Sequence, residues 1–181
     1  SRSLDALLRE VVERATALVG ARYGALGVID PTGTFLEQFI TVGVDEATRG
    51  RIGDPPRGQG ILGVLIREAA PLRLNDMGED PRSVGFPPGH PPMKGFLGVP
   101  IHLRGHAFGN LYLTEKEQGD FTDEDQAVAG RARRRIGRAA AGRQRDRQGD
   151  HGHERPPHPT AATSSYGDSS SPSTAMVSEA S

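Results

Sequence analysis

His90 is the side chain in this sequence whose setting best suits holding a ligand. His90 stands between two proline pairs, Pro87-Pro88 and Pro91-Pro92, with Phe86, Met93, Phe96 and Leu97 nearby in the chain. Each proline fixes its own φ and has no N–H, and Pro91 steers His90 toward extended backbone. Few rotatable bonds remain to blur where the imidazole points. One nitrogen donor on a stiff backbone, in apolar and aromatic company, suits the axial ligand of a flat, apolar, metal-bearing cofactor. The same residues also read as an ordinary proline-rich loop, and residue chemistry alone leaves both readings open.

The elements that position these residues follow from periodicity. Leu4, Leu7, Leu8, Val11, Val12, Ala15, Leu18 and Val19 recur at helical spacing, with Ser3 as N-cap and Gly20 as stop. This amphipathic helix is expected to cover a sheet and to offer a homodimer surface. Tyr23 to Asp30 and Phe35 to Val42 read as a hairpin, Asp45 to Ile52 and Ile61 to Ala69 as helices, and Leu72 to Leu74 as a short strand. Gly58 and Gly60 are turn glycines and not a phosphate loop, since no G-K-[ST] follows them.

Phe96 to Leu103 and His106 to Lys116 form the clearest hairpin, closed by Arg104-Gly105. A regular two-residue turn places Tyr112 opposite Leu97, Asn110 opposite Val99 and Phe108 opposite Ile101, all on one face. Both faces are largely apolar, so this sheet is expected to be covered on both sides, by the terminal helices on one and by the His90 loop and any cofactor on the other. A buried phenol needs a hydrogen-bond partner. Read alone, Tyr112 is as well satisfied by a backbone carbonyl as by a ligand. His102 and His106 flank the turn and read as solvated strand ends.

Composition narrows the chemistry. Among the 181 residues there is no cysteine, which excludes disulfides, iron–sulfur clusters, thiolate-ligated haem and a cysteine-attached bilin. No apolar run reaches membrane-spanning length and no signal peptide is evident, so a cytoplasmic protein is the expectation. Residues 1 to 121 hold 13 basic and 15 acidic side chains, which gives no electrostatic case for nucleic acid there.

The string G-F-P-P-G-H-P-P-M-K-G-F-L-G-V-P at 85 to 100, with F-G-N-L-Y-L-T-E-K at 108 to 116, resembles the first GAF domain of the DevS/DosT haem sensor kinases of actinobacteria. A-R-Y-G-A-L-G-V at 21 to 28 and the G-x-G-I-L-G-V-L stretch before residue 66 extend the likeness over about residues 3 to 126. The H-P-P-M segment is its specific part. The resemblance implies an α+β GAF fold, with a central antiparallel sheet of about five to six strands and helices on both faces. It further implies haem b with His90 as proximal iron ligand and Tyr112 on the distal side, in a pocket that also draws on Phe86, Met93, Phe96 and Leu97. The signal would be a diatomic gas (O2, NO or CO) or a redox state, read out through a two-component histidine kinase.

Three segments are expected: a sensor domain over 1–128, an atypical helix over 129–148 and a disordered tail over 149–181. Residues 131 to 147 hold eight Arg and one Asp, with Ile136 as the one large aliphatic residue. Family-like sequence stops within this helix, which points to a reading-frame shift near residue 128. Another frame of the coding DNA would then restore apolar heptads and a second GAF domain. From 149 onward Ser, Pro, Gly, His and Thr dominate without periodicity.

No phosphoacceptor histidine box, ATP site or other catalytic constellation is recognisable, so an enzyme is not expected. Two other readings compete. A GAF domain with another small ligand, or with none and serving dimerisation or interaction, predicts indifference to changing His90. An Arg-rich nucleic-acid binder predicts steep salt dependence, but no aromatics interleave the arginines for base stacking. Neither a nucleic acid nor a membrane is expected as partner.

Overall fold

The computed structural model describes residues 3–33, 36–54 and 56–149. The tail expected from 149 onward lies outside them, except for Gly149, the last residue of α4.

Helix α1, Leu4–Val19, starts where the Ser3 hydroxyl accepts a hydrogen bond from the Ala6 N–H at 3.2 Å. It stops at Gly20, whose φ of 67° is left-handed and whose N–H returns to the Ala17 carbonyl. Five strands follow in one antiparallel sheet of order β2-β1-β5-β4-β3. They are β1 (Ala21–Ile29), β2 (Leu36–Val42), β3 (Leu72–Leu74), β4 (Phe96–Leu103) and β5 (His106–Lys116). Helices α2 (Glu46–Ile52) and α3 (Gly60–Glu68) lie between β2 and β3, and α4 (Asp123–Gly149) closes the chain. The α+β fold expected from sequence is present, with five strands.

The sheet separates two apolar layers. Leu8, Val12 and Val19 of α1 meet Leu26 of β1, Leu97 and Val99 of β4, and Leu111 and Leu113 of β5 in the larger one. The smaller layer holds Ile61 and Leu65 of α3 with Met77 and Phe96. Close approach depends on missing side chains: a Cβ on Gly24 would collide with Thr16 Oγ1, and one on Gly98 with Leu65 and the Phe96 ring. Pro100 is tolerated within β4 because β3 reaches only as far as Gly98, and the Pro100 carbonyl accepts from Arg133 Nη1 at 3.2 Å.

The β4–β5 register differs from the expected one. Arg104-Gly105 does form a two-residue turn with both φ positive, and Leu103 pairs with His106. A bulge between Ile101 and His102 then shifts the pairing by one residue, so that Tyr112 lies opposite Gly98, Asn110 opposite Pro100 and Leu111 opposite Val99. Leu97, Val99 and Ile101 therefore face the terminal helices and not the Tyr112 layer.

Helix α4 continues without a break past residue 128. Thr122 and Asp125 cap it reciprocally: Thr122 N–H donates to the Asp125 carboxylate at 2.8 Å, and Asp125 N–H to Thr122 Oγ1 at 3.2 Å. Burial alone would raise the Asp125 carboxyl, but hydrogen bonds from Lys116 and Thr122 outweigh it and hold the group below its usual range. Ala129, Ala132, Ile136 and Ala140 then form a buried stripe at spacings of three and four, while Arg131, Arg134, Arg135 and Arg138 face solvent. Small residues carry little hydrophobic signal yet let the helix lie close to α1.

Ile136 is fully enclosed. Ile136→Ala is expected to cost about 2–5 kcal/mol, as other buried Ile→Ala truncations do. Urea unfolding measures this, and a loss below about 1 kcal/mol would mean that α4 does not unfold with the sheet.

Candidate functional site

The layer between the sheet and α3 gathers most of the residues singled out from sequence. On β5 the side chains of Asn110, Tyr112 and Thr114 share the face that looks away from α1 and α4. Tyr112 packs with the α3 cluster; its ring lies 6.0 Å from Phe96 and 6.4 Å from Phe39 of β2, centroid to centroid. Part of the residue is accessible, and burial of the ring pushes the phenol well above its usual range. The hydroxyl makes no hydrogen bond among the described residues.

Met93 belongs to the same cluster and accepts a hydrogen bond on its sulfur from Thr114 Oγ1 at 3.1 Å. Residues 94 and 95 after it are clamped to β5. Glu115, with a left-handed φ of 55°, accepts both the Lys94 and Gly95 N–H groups on its carboxylate. Its own N–H donates to the Gly95 carbonyl at 3.1 Å, and Met77 N–H donates to the Lys94 carbonyl at 2.8 Å. The exit of the His90 loop is thereby fixed three residues from Tyr112.

The entrance is held by Asp80, whose carboxylate accepts from the Arg82 N–H, Nε and Nη2 at 2.8–2.9 Å. Between these anchors His90 is partly buried, and its backbone N–H donates to the Pro87 carbonyl at 3.2 Å. Its Nδ1 lies 2.7 Å from the Pro91 carbonyl oxygen. A carbonyl only accepts, so Nδ1 carries the proton, and in the neutral ring Nε2 keeps its lone pair. That is the tautomer an iron-ligating imidazole requires. Phe86 stacks on the ring at 4.6 Å and is 45% exposed, so it caps His90 from outside and does not line an enclosed slot.

The structure thus brings Tyr112, Phe96 and Met93 into one cluster and sets His90 with Phe86 on the adjoining loop. Leu97 does not join them. It is fully buried among the terminal helices, because the bulge turned it to the other face. His102 and His106 are exposed at the hairpin end, as expected. Phe39 was not identified from sequence, because only the β1–β2 and β1–β5 registers bring it beside Tyr112. Two depressions of about 420 and 180 Å³ lie elsewhere, one beside the α1–β1 turn and one between α3 and the β1–β2 hairpin.

Residues 1–139 match the family model for the GAF domain. The chain belongs to the GAF domain family. GAF domains are sensory folds, small-ligand or signalling modules of the kind found in sensor kinases. Among solved structures, the GAF domain of a phosphoenolpyruvate-protein phosphotransferase from Coxiella burnetii superposes with a TM-score of 0.68 at 24% identity, over 81% of this chain and 88% of that one. A domain of a putative two-component sensor histidine kinase from Sinorhizobium meliloti 1021 gives 0.60 at 12% identity, over 83% and 99%. The free methionine-R-sulfoxide reductase from Neisseria meningitidis, in complex with its substrate, gives 0.56 at 16% identity, over 80% and 95%. At these identities the likeness is one of GAF fold.

Among the described residues no helix is long and apolar enough to cross a membrane, and no three of His, Cys, Asp and Glu gather as a metal site. A single axial imidazole is not a group of that kind.

The Asp80 anchor has a defined pH signature. Hydrogen bonds from the Arg82 side chain and backbone lower its carboxyl to about 2. A depressed carboxyl stabilises the fold above its unfolded value of about 3.9, and that contribution disappears as pH falls toward 2. In a carboxyl-detected NMR titration Asp80 is expected to titrate near 2; a midpoint near 4 would show that the loop entrance is not pinned in this way.

Proposed function

We propose that this GAF domain binds haem b between the sheet and the 84–95 loop, with His90 as the iron ligand, and senses a diatomic gas or the iron's redox state. The observation that carries the reading is the His90 Nδ1 contact with the Pro91 carbonyl, which leaves Nε2 free to coordinate. The Tyr112 hydroxyl, without a partner among the described residues, supports it from the sheet side. The donor set fits as well: imidazole is a suitable ligand for haem iron, and Phe96, Met93, Phe39 and Leu65 offer the apolar and aromatic contacts a porphyrin needs.

When bound, haem supplies the redox-active, gas-binding iron. The chain's own residues do the rest. Pro87, Pro88, Pro91 and Pro92 restrict the His90 backbone, and the Pro91 carbonyl fixes the ring's tautomer. Tyr112 stays protonated throughout the physiological range and so can donate its O–H to a gas ligand. O2, NO and CO are the candidate gases. The output partner in this reading is a two-component histidine kinase, reached through α4, with α1 and α4 offering the surface for a homodimer.

The test is the visible spectrum of the purified protein titrated with haemin, beside His90→Ala and Tyr112→Phe. A saturable, sharp Soret band is expected in the wild type and should be lost or displaced in His90→Ala. Tyr112→Phe should retain the band and change gas affinity about five-fold, the worth of one hydrogen bond of about 1 kcal/mol. A folded wild-type protein that takes up no haemin, or His90→Ala with an unchanged spectrum, rejects the reading. A GAF domain with another small ligand, or a ligand-free interaction module, would then stand in its place; the Phe86 ring stacked on His90 favours that second reading.

A further inference from the structure

Two positions before Tyr112, on the same face of β5, stands Asn110. It is 5% exposed, yet its carboxamide makes no hydrogen bond among the described residues. A primary amide offers two N–H donors and a carbonyl acceptor; among the described residues the enclosed side-chain atom without a partner is Arg73 Nη1, so the tip of the Asn110 amide keeps access to what lies above the sheet. Its neighbours across the sheet cannot supply one through their side chains. Gly27 of β1 has no side chain and Pro100 of β4 has no polar side-chain atom. Tyr112 is flanked in the same manner by Ala25 and Gly98. The centre of this face is therefore a floor of small residues from which two side chains with polar ends rise, about 7 Å apart along the strand.

An apolar residue at 110 would suit a purely structural layer better, as Leu111 and Leu113 do on the opposite face. An amide and a phenol side by side, unbonded to other described residues and with accessible tips, are both available to one molecule above the sheet. We propose that Asn110 is a second ligand-contacting residue, its carboxamide hydrogen-bonding the molecule that Tyr112 contacts and setting which diatomic gas is preferred. The gas identity rests on the haem reading above. Two N–H donors added to one phenol O–H make the sheet side strongly hydrogen-bonding, and such a pocket favours the more polar O2 over CO.

The experiment uses the full chain loaded with haemin, as wild type and as Asn110→Leu and Asn110→Ala, with circular dichroism confirming the fold of each. The ratio of O2 to CO affinity is read by spectral titration. Both variants are expected to lower that ratio several-fold while the Soret maximum stays in place. Asn110→Leu should melt near the wild-type temperature, since the amide makes no hydrogen bond to other described residues for the substitution to remove. An unchanged gas ratio in a folded, haem-loaded variant overturns the proposal and leaves the haem reading intact; with a fall in melting temperature beside it, the amide is structural. A wild type without haemin uptake fails one step earlier, and removes the haem reading together with this one.

Discussion

The sheet is buried on both sides, and one extra residue, Phe108 of β5 opposite the Ile101–His102 step, decides which side chains each side receives. Side chains alternate along a strand with period two, so a shift of one residue exchanges the two faces of β4 relative to β5. With the bulge, Leu97, Val99 and Ile101 join Leu111 and Leu113 under the terminal helices. Phe96 is thereby placed beside Tyr112. A regular hairpin would set Leu97 against Tyr112 and send Phe96 toward α1. The site exists because the ladder is irregular at that point.

The two layers differ in a way that separates stability from recognition. The helix side is filled with branched aliphatics, with Thr16 as a polar exception whose hydroxyl donates to the Val12 carbonyl at 2.7 Å within its own helix. Large-to-small changes there carry both a transfer and a cavity cost, and nothing in that layer is left over for chemistry. The α3 side mixes aromatic rings and methionines with Asn110, Tyr112 and Thr114 of β5.

Much of this was legible in the sequence, because periodicity is a long-range average. Eight apolar residues at helical spacing identify α1 whatever happens at any single position, and the ends of β4 and β5 follow from the Arg104-Gly105 turn. The errors arose where one local event outweighed the average. The bulge carries no composition signal, so Leu97 was placed in the wrong layer. In α4 the packing stripe is mostly alanine, which hydrophobic pattern reading passes over, although Ala129, Ala132 and Ala140 are all buried. Phe39 and the Glu115 clamp depend on strand register and on a left-handed non-glycine residue, and neither is visible one residue at a time. The His90 motif was conspicuous for the opposite reason: proline acts on its immediate neighbours, so its consequence can be read locally.

The same geometry makes β5 the element through which the two layers communicate. Its Tyr112 face meets the α3 cluster, its Glu115 carboxylate holds the end of the His90 loop, and its Leu111 and Leu113 side chains are enclosed with α1 and α4. Interiors packed to this density have little slack, so a displacement of the strand cannot be absorbed on one side alone. The clamp joins loop to strand three residues from Tyr112, so a molecule touching both His90 and Tyr112 would pull on two points of one rigid unit. On the far side, Gly24 brings β1 into contact with Thr16, and β1 pairs with β5 along most of its length. A shift of β5 is thus transmitted to α1 both through the ladder and through the core. The terminal helices are the parts of the domain from which a change at the site can be read.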